Sequence, residues 1–194
     1  GDRLAAMYYC VTYAFLLRPR DEALPLFSGG VIGQQLPAGV HSAVEVTASS
    51  VRIQLASRKN AVHGETHTRH CWCSKCSVTC PVHAFGTWWL SCPAGCSPFL
   101  ELGAARALKD LRRRLGVLGV PETGLYRLHD FRGGHAEDLF VSGVPAAVIL
   151  RMGGWRSRAF LDYLRKEEVE ARAVLDVALC ESESEGSCAD SDED

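Results

Sequence analysis

The chain has 194 residues, 47% hydrophobic and 23% charged, which suits one well-buried globular domain and is short for two. Its formal net charge of −2 hides an asymmetry. Residues 181–194 hold seven acidic and no basic side chains, so residues 1–180 carry 21 basic against 16 acidic groups, a balance of +5. The segment Leu4 to Leu17 is apolar but too short to span a bilayer, so no membrane partner is expected. A mildly basic body permits contact with a polyanion. The acidic tail has almost nothing apolar to bury and is expected to be disordered.

From the N-terminus, residues 2–27 read as two helices. Leu4, Met7, Tyr8, Val11 and Phe15 recur at helical spacing, Pro19 interrupts, and Asp21 can open the second helix. A Gly- and Pro-bearing loop follows over 28–42. Val44 and Val46, then Val51, Ile53 and Leu55, alternate with polar residues as strands do, with Ala48-Ser-Ser as the turn between them. A third strand is expected from Thr66 to Trp72, which puts Lys59 on or beside a hairpin. Pro81 can start a helix through Phe85 and Trp88. Phe99 to Leu118 is the clearest helix, with Leu100, Ala104, Leu108, Leu111, Leu115 and Leu118 as one apolar stripe. Lys109, Arg112, Arg113 and Arg114 lie largely off it. Leu128 to Val141 reads as a helix weakened at Gly133-Gly134 by roughly 1 kcal/mol per glycine. Pro145 opens another through Met152, and Ser157 caps a segment carrying Tyr163 that continues towards Leu179.

Several residues near the C-terminal end can surround a phosphate. His129 and Arg132 sit three apart, so a helix presents both from one face. Trp155 follows a Gly-Gly pair, and Tyr163 comes soon after. Each has an ordinary structural explanation when taken singly: a helical Tyr packs, a His at a helix start caps, a turn Lys is solvated, and Arg18 suits a helix C-terminus.

Taken in order, four stretches resemble the sequence boxes of one family. They are Phe15-Leu-Leu-Arg-Pro-Arg-Asp-Glu; Val51-Arg-Ile-Gln-Leu-Ala-Ser-Arg-Lys-Asn with Gly64 beyond; His129-Asp-Phe-Arg; and Ile149-Leu-Arg-Met-Gly-Gly-Trp-Arg-Ser-Arg-Ala-Phe-Leu-Asp-Tyr. The chain resembles the catalytic domain of the tyrosine recombinase (phage integrase) family over roughly residues 4–170. Trp155 in place of the commoner histidine and the short Trp-to-Tyr spacing are most similar to recombinases of eukaryotic mobile elements, DIRS-like or Crypton-like. The resemblance implies an α+β, mainly α, fold: a helical catalytic domain over residues 1–180 with a small three-stranded antiparallel sheet, a Cys-rich insertion at about 70–96, and the tail at 181–194.

The resemblance also implies a mechanism on double-stranded DNA. Tyr163 attacks the scissile phosphate and forms a 3′-phosphotyrosyl link. Arg18 and Arg132 grip the non-bridging oxygens, a task that suits the guanidinium fork. Trp155 donates its indole N–H to the same phosphate. His129 accepts the tyrosine proton or donates to the phosphate. Lys59 protonates the 5′-oxygen leaving group. No cofactor is required for this chemistry. The family works as homo-tetramers on paired DNA sites, and in a eukaryote its place is the nucleus. Three points depart from the pattern or stay open: Gly133 follows Arg132 where the family often has a larger residue, the acidic partner of Arg18 is Asp21 or Glu22, and Arg58 competes with Lys59 for the hairpin position.

Nine cysteines, six of them between Cys71 and Cys96, with no secretory signal evident, favour reduced thiols or a metal site over a disulfide framework. Cys71, Cys73, Cys76, Cys80 and His83 fall within one short span. Cys73, Cys76, Cys80 and His83 are the expected set for a structural zinc ion; the bland alternative is a reduced, Cys-rich connection. Two rival functions remain: a non-catalytic DNA-binding relic of a mobile-element recombinase, and a zinc-stabilised interaction module that uses the acidic tail as its contact.

Overall fold

In the computed structural model the described residues are 2–58, 65–73 and 78–155. Lys59, Gly64, Cys76, Ser157, Tyr163, the segment running to Leu179 and the acidic tail lie outside them. The chain is mixed α and β with one three-stranded antiparallel sheet, the coarse architecture expected. No described helix is long and apolar enough to cross a membrane.

Helix α1 spans Asp2–Ala14. It ends where Leu16 enters the left-handed region at φ 53°, a conformation that costs a side-chain-bearing residue roughly 1–2 kcal/mol. The expected second helix is a single π-helical turn, Pro19–Ala23. Pro19 starts this turn, because it needs no N–H there; the amide of Ala23 reaches back to the Arg18 carbonyl at 3.0 Å. The extra residue per turn changes which side chains face inward.

Strands β1 (Ser42–Val46), β2 (Ser50–Leu55) and β3 (Thr66–His70) lie in sequence order. The alternation in β2 is realised: Val51, Ile53 and Leu55 are buried, while Arg52 points out and pairs with Glu45 at 2.9 Å. The β2–β3 register sets His67 opposite Ile53 and Arg69 opposite Val51, so the period of two turns both of these polar residues towards the protein interior. β3 ends at His70, two residues before the expected limit.

A second π-helical turn, Pro81–Gly86, runs into the short helix α2 (Thr87–Trp89). It crosses the sheet closely at Gly86, where a methyl group would stand 2.9 Å from Val46 Cγ1. Phe85, Trp88, Trp89 and Phe99 cluster there, with the Trp88 and Phe99 rings stacked at 5.2 Å. Tyr8 and Val11 of α1, and Phe15 just beyond it, complete this main core against β2.

Helix α3 spans Ala104–Val117, starting later than the apolar pattern suggests because Gly103 sits at φ 62°. Leu100 and Leu118 lie outside it and are exposed; the buried stripe is Ala107 and Leu111. Helix α4 spans Asp130–Val141 and α5 spans Ala146–Gly153. Ala136, Phe140 and Ile149 from these helices pack with Leu16 into a second, smaller core that Trp155 borders.

Candidate active site and metal-binding cluster

The candidate residues meet around one carboxylate. Glu22, 3% exposed, lies in the first π-helical turn and holds Arg18 twice: Oε2 accepts from the Arg18 backbone N–H at 2.8 Å and Oε1 from Nη1 at 3.1 Å. Arg58 forks onto the same group, Nε to Oε1 at 3.1 Å and Nη2 to Oε2 at 3.3 Å. Arg132 Nη1 stands 3.8 Å from Oε2. The acidic partner of Arg18 is therefore Glu22; Asp21 is exposed. Glu22 faces three guanidinium groups, and Glu65 Oε2 stands 3.6 Å from Arg58 Nη1, so the cations still outnumber the carboxylates.

Arg132 is 1% exposed. It donates from Nη2 to the Gly153 carbonyl, and its guanidinium carbon lies 4.2 Å from the centroid of the Trp155 ring, a cation–π arrangement. Arg58 does not serve as an exposed hairpin cation. Its side chain is buried, and besides Glu22 it donates to the carbonyls of Leu16 (3.3 Å) and Met152 (3.1 Å). It thus ties the left-handed end of α1 to α5. His67 Nε2 lies 3.2 Å from Arg58 Nη1. Burial, then the charges of Arg58, Arg69 and Arg132, lowers the His67 pKa to about 3, so the ring is neutral and accepts from Arg58.

His129 precedes α4 and is half-buried. Burial first, then Arg132 and Arg18, pulls its pKa below the ordinary value against the opposing pull of Asp130 and Glu22. A neutral imidazole near pH 7 is able to accept a proton. Arg18 and His129 together line a cleft of about 550 Å³ whose walls also carry Arg20, Arg112 and Arg127. Arg18 and His129 line this cleft, whereas Arg132 lies beneath the Trp155 ring. Of the basic face of α3, Arg113 and Arg114 are drawn onto Asp110 at 2.8 and 2.6 Å, and Arg112 donates from Nε to the Tyr126 carbonyl at 3.1 Å.

The structure therefore brings Arg18, Arg132, His129 and Trp155 to one region, while Lys59 and Tyr163 lie outside the described residues. Sequence reasoning missed the central part of Glu22 and the buried pair Arg58–His67. Strand alternation in β3 carries a signal for His67. Arg58 has none, since the chain bends after Leu55 and the alternation breaks.

A second cluster lies where β3 gives way to the Pro81–Gly86 turn. Cys71, Cys73, Cys80 and His83 offer ligand atoms that all lie within 4.8 Å of one another and could hold a metal ion. Sequence spacing placed Cys76 in this set; Cys76 is outside the described residues, and among the described residues Cys71 joins Cys73, Cys80 and His83. Burial pushes the Cys80 thiol up, but the backbone N–H groups of His83, Trp72 and Val82 and the His83 side chain outweigh it and bring the value down to about 6.

No family model, no curated protein and no solved structure matches the chain.

Proposed function

We propose that the chain cleaves and rejoins DNA strands through a 3′-phosphotyrosyl intermediate, as a recombinase of a mobile element. The observation that carries this reading is the convergence of Arg18 and Arg132, distant in sequence, on the buried Glu22 beside the neutral His129. A pentavalent phosphate carries extra negative charge, and preorganised cations are what stabilise it. The cleft lined by Arg18, Arg20, Arg112, Arg127 and His129 suits a DNA backbone.

In the reaction, Tyr163 Oη attacks phosphorus as the bond to the 5′-oxygen breaks. His129 takes the phenol proton, Lys59 gives a proton to the departing 5′-oxygen, and Arg18 and Arg132 neutralise the non-bridging oxygens. Reversal with a new 5′-hydroxyl rejoins the strand, so no external energy source enters. No step calls on a metal or cofactor. The Trp155 ring covers the Arg132 guanidinium, and its indole N–H donates to the same phosphate. The working form would be a homo-tetramer on paired DNA sites, acting inside the cell and, in a eukaryote, in the nucleus.

One observation favours a second reading. Arg132 is enclosed by Glu22, the Gly153 carbonyl and the Trp155 ring, an arrangement that also fits a DNA-binding relic in which this arginine has become purely structural. A nicked suicide substrate separates the two, because it traps the covalent adduct. The catalytic reading expects an adduct with the natural chain and none with a folded Tyr163→Phe variant. Adduct formation that survives Tyr163→Phe would sink it. Salt-dependent DNA binding with no adduct on any substrate would select the relic.

A further inference from the structure

We propose that Cys71, Cys73, Cys80 and His83 form one tetrahedral zinc site, three thiolates and one imidazole nitrogen, that cross-links the end of the sheet to the Pro81–Gly86 turn. The inference stands on the geometry of these four side chains and is independent of any activity on DNA.

The spacing of the donor atoms fits the ion. With Zn–S near 2.3 Å and Zn–N near 2.0–2.1 Å, a tetrahedral centre has S···S edges of about 3.8 Å and S···N edges of about 3.6 Å. The Cys71–Cys73 sulfurs are 3.6 Å apart and the Cys71–Cys80 sulfurs 3.7 Å. His83 Nδ1 lies 3.5 Å from Cys71 Sγ and 3.0 Å from Cys73 Sγ. Three of these four edges match within about 0.2 Å, and the fourth is tighter. The separations of Cys71 Sγ from the Cys73 and Cys80 sulfurs are far beyond the roughly 2.05 Å of a disulfide.

The chemistry of the set selects the metal. Three soft thiolates with one imidazole in a tetrahedral arrangement suit zinc; calcium and magnesium demand oxygen donors. Four protein ligands leave no open position, as in structural rather than catalytic sites. By contrast, Cys92 and Cys96 are engaged elsewhere, with the carbonyls of Trp88 and Pro93.

The site adds a cross-link at the edge of the main core, where Cys80, Val82 and Phe85 pack with Val51 and Ile53. Cys71 and Cys73 follow directly on β3, whose neighbour is β2; Cys80 precedes the π-helical turn that carries His83. The ion thus fixes the exit of the β2–β3 pair, the same pair whose connection carries Lys59 in the sequence.

The test is metal analysis of the full chain, purified under reducing conditions without chelator. We expect one zinc per chain by elemental mass spectrometry. After exchange with Co²⁺, the intense visible bands of a tetrahedral site and thiolate-to-cobalt charge transfer should develop with a one-to-one end point. Cys71→Ser and His83→Ala should each abolish stoichiometric binding, whereas Cys92→Ser and Cys76→Ser should retain it. His83→Cys should keep the ion and shift the cobalt spectrum towards a four-thiolate set, a readout that survives if the loss variants fail to fold. A metal-free chain that stays colourless in Co²⁺ overturns the site. Retention of the ion by Cys71→Ser with its loss in Cys76→Ser overturns the ligand set.

Discussion

Replacing Glu22 by Gln keeps the side-chain shape and removes the charge that three guanidinium groups share. Each carboxylate oxygen accepts two hydrogen bonds: Oε1 from Arg18 Nη1 and Arg58 Nε, Oε2 from the Arg18 N–H and Arg58 Nη2. Whichever oxygen becomes an amide NH₂, two donors then face a donor. A hydrogen bond to a charged group contributes about 1.5–3 kcal/mol, so the loss is about 3–6 kcal/mol. Breaking a buried ion pair from one side costs about 3–5 kcal/mol, in agreement. The Glu22 side chain is 2% exposed, so solvent cannot compensate. At about 2–4 °C per kcal/mol for a chain of this size, the melting temperature should fall by about 6–24 °C. Urea denaturation followed by circular dichroism measures the change directly. Glu45→Gln is the matched control, because its partner Arg52 is at 2.9 Å but both side chains are more than 40% exposed; it should cost less than about 1 kcal/mol. A Glu22→Gln loss no larger than the control would refute the idea that one carboxylate organises the three arginines.

Two further outcomes follow from the packing and the titrating groups. A methyl group at Gly153 would overlap the six-membered ring of Trp155. Gly153→Ala should therefore displace the indole from Arg132, cost about 1–3 kcal/mol as an overpacked site, and alter Trp emission; unchanged emission and stability would contradict the cation–π seat. Burial, then neighbouring arginines, depresses the pKa of His67 to about 3, and burial, then Arg69, takes His135 to about 4. Both folded values lie below the ordinary 6.5, so the unfolded chain binds more protons as pH falls. Their contribution is complete above about pH 6.5 and is lost on acidification towards pH 3–4, with a slope of up to about 1.4 kcal/mol per pH unit for each histidine. Urea midpoints measured from pH 7 to 5 should fall less steeply in His67→Gln than in the natural chain, and parallel slopes would refute the assignment.

The amino-acid sequence by itself determined the local elements. Alternating Val51, Ile53 and Leu55 fixed one buried face of β2, and helical spacing through Met7, Tyr8 and Val11 fixed the face of α1, because each pattern reports contacts along one element. It also named Arg18, His129, Arg132 and Trp155 as partners, on the order of boxes resembling a family. Only the tertiary structure decided how they meet. The turn Pro19–Ala23 faces Glu22 inward and Asp21 outward, which makes Glu22 the shared counter-ion. The bend after Leu55 buries Arg58 where strand alternation would not. The crossing of the Pro81–Gly86 turn over the end of β3 brings Cys71 into the metal-binding cluster. An ion pair or a ligand set depends on positions in space, and spacing along the chain constrains these only within a single regular element.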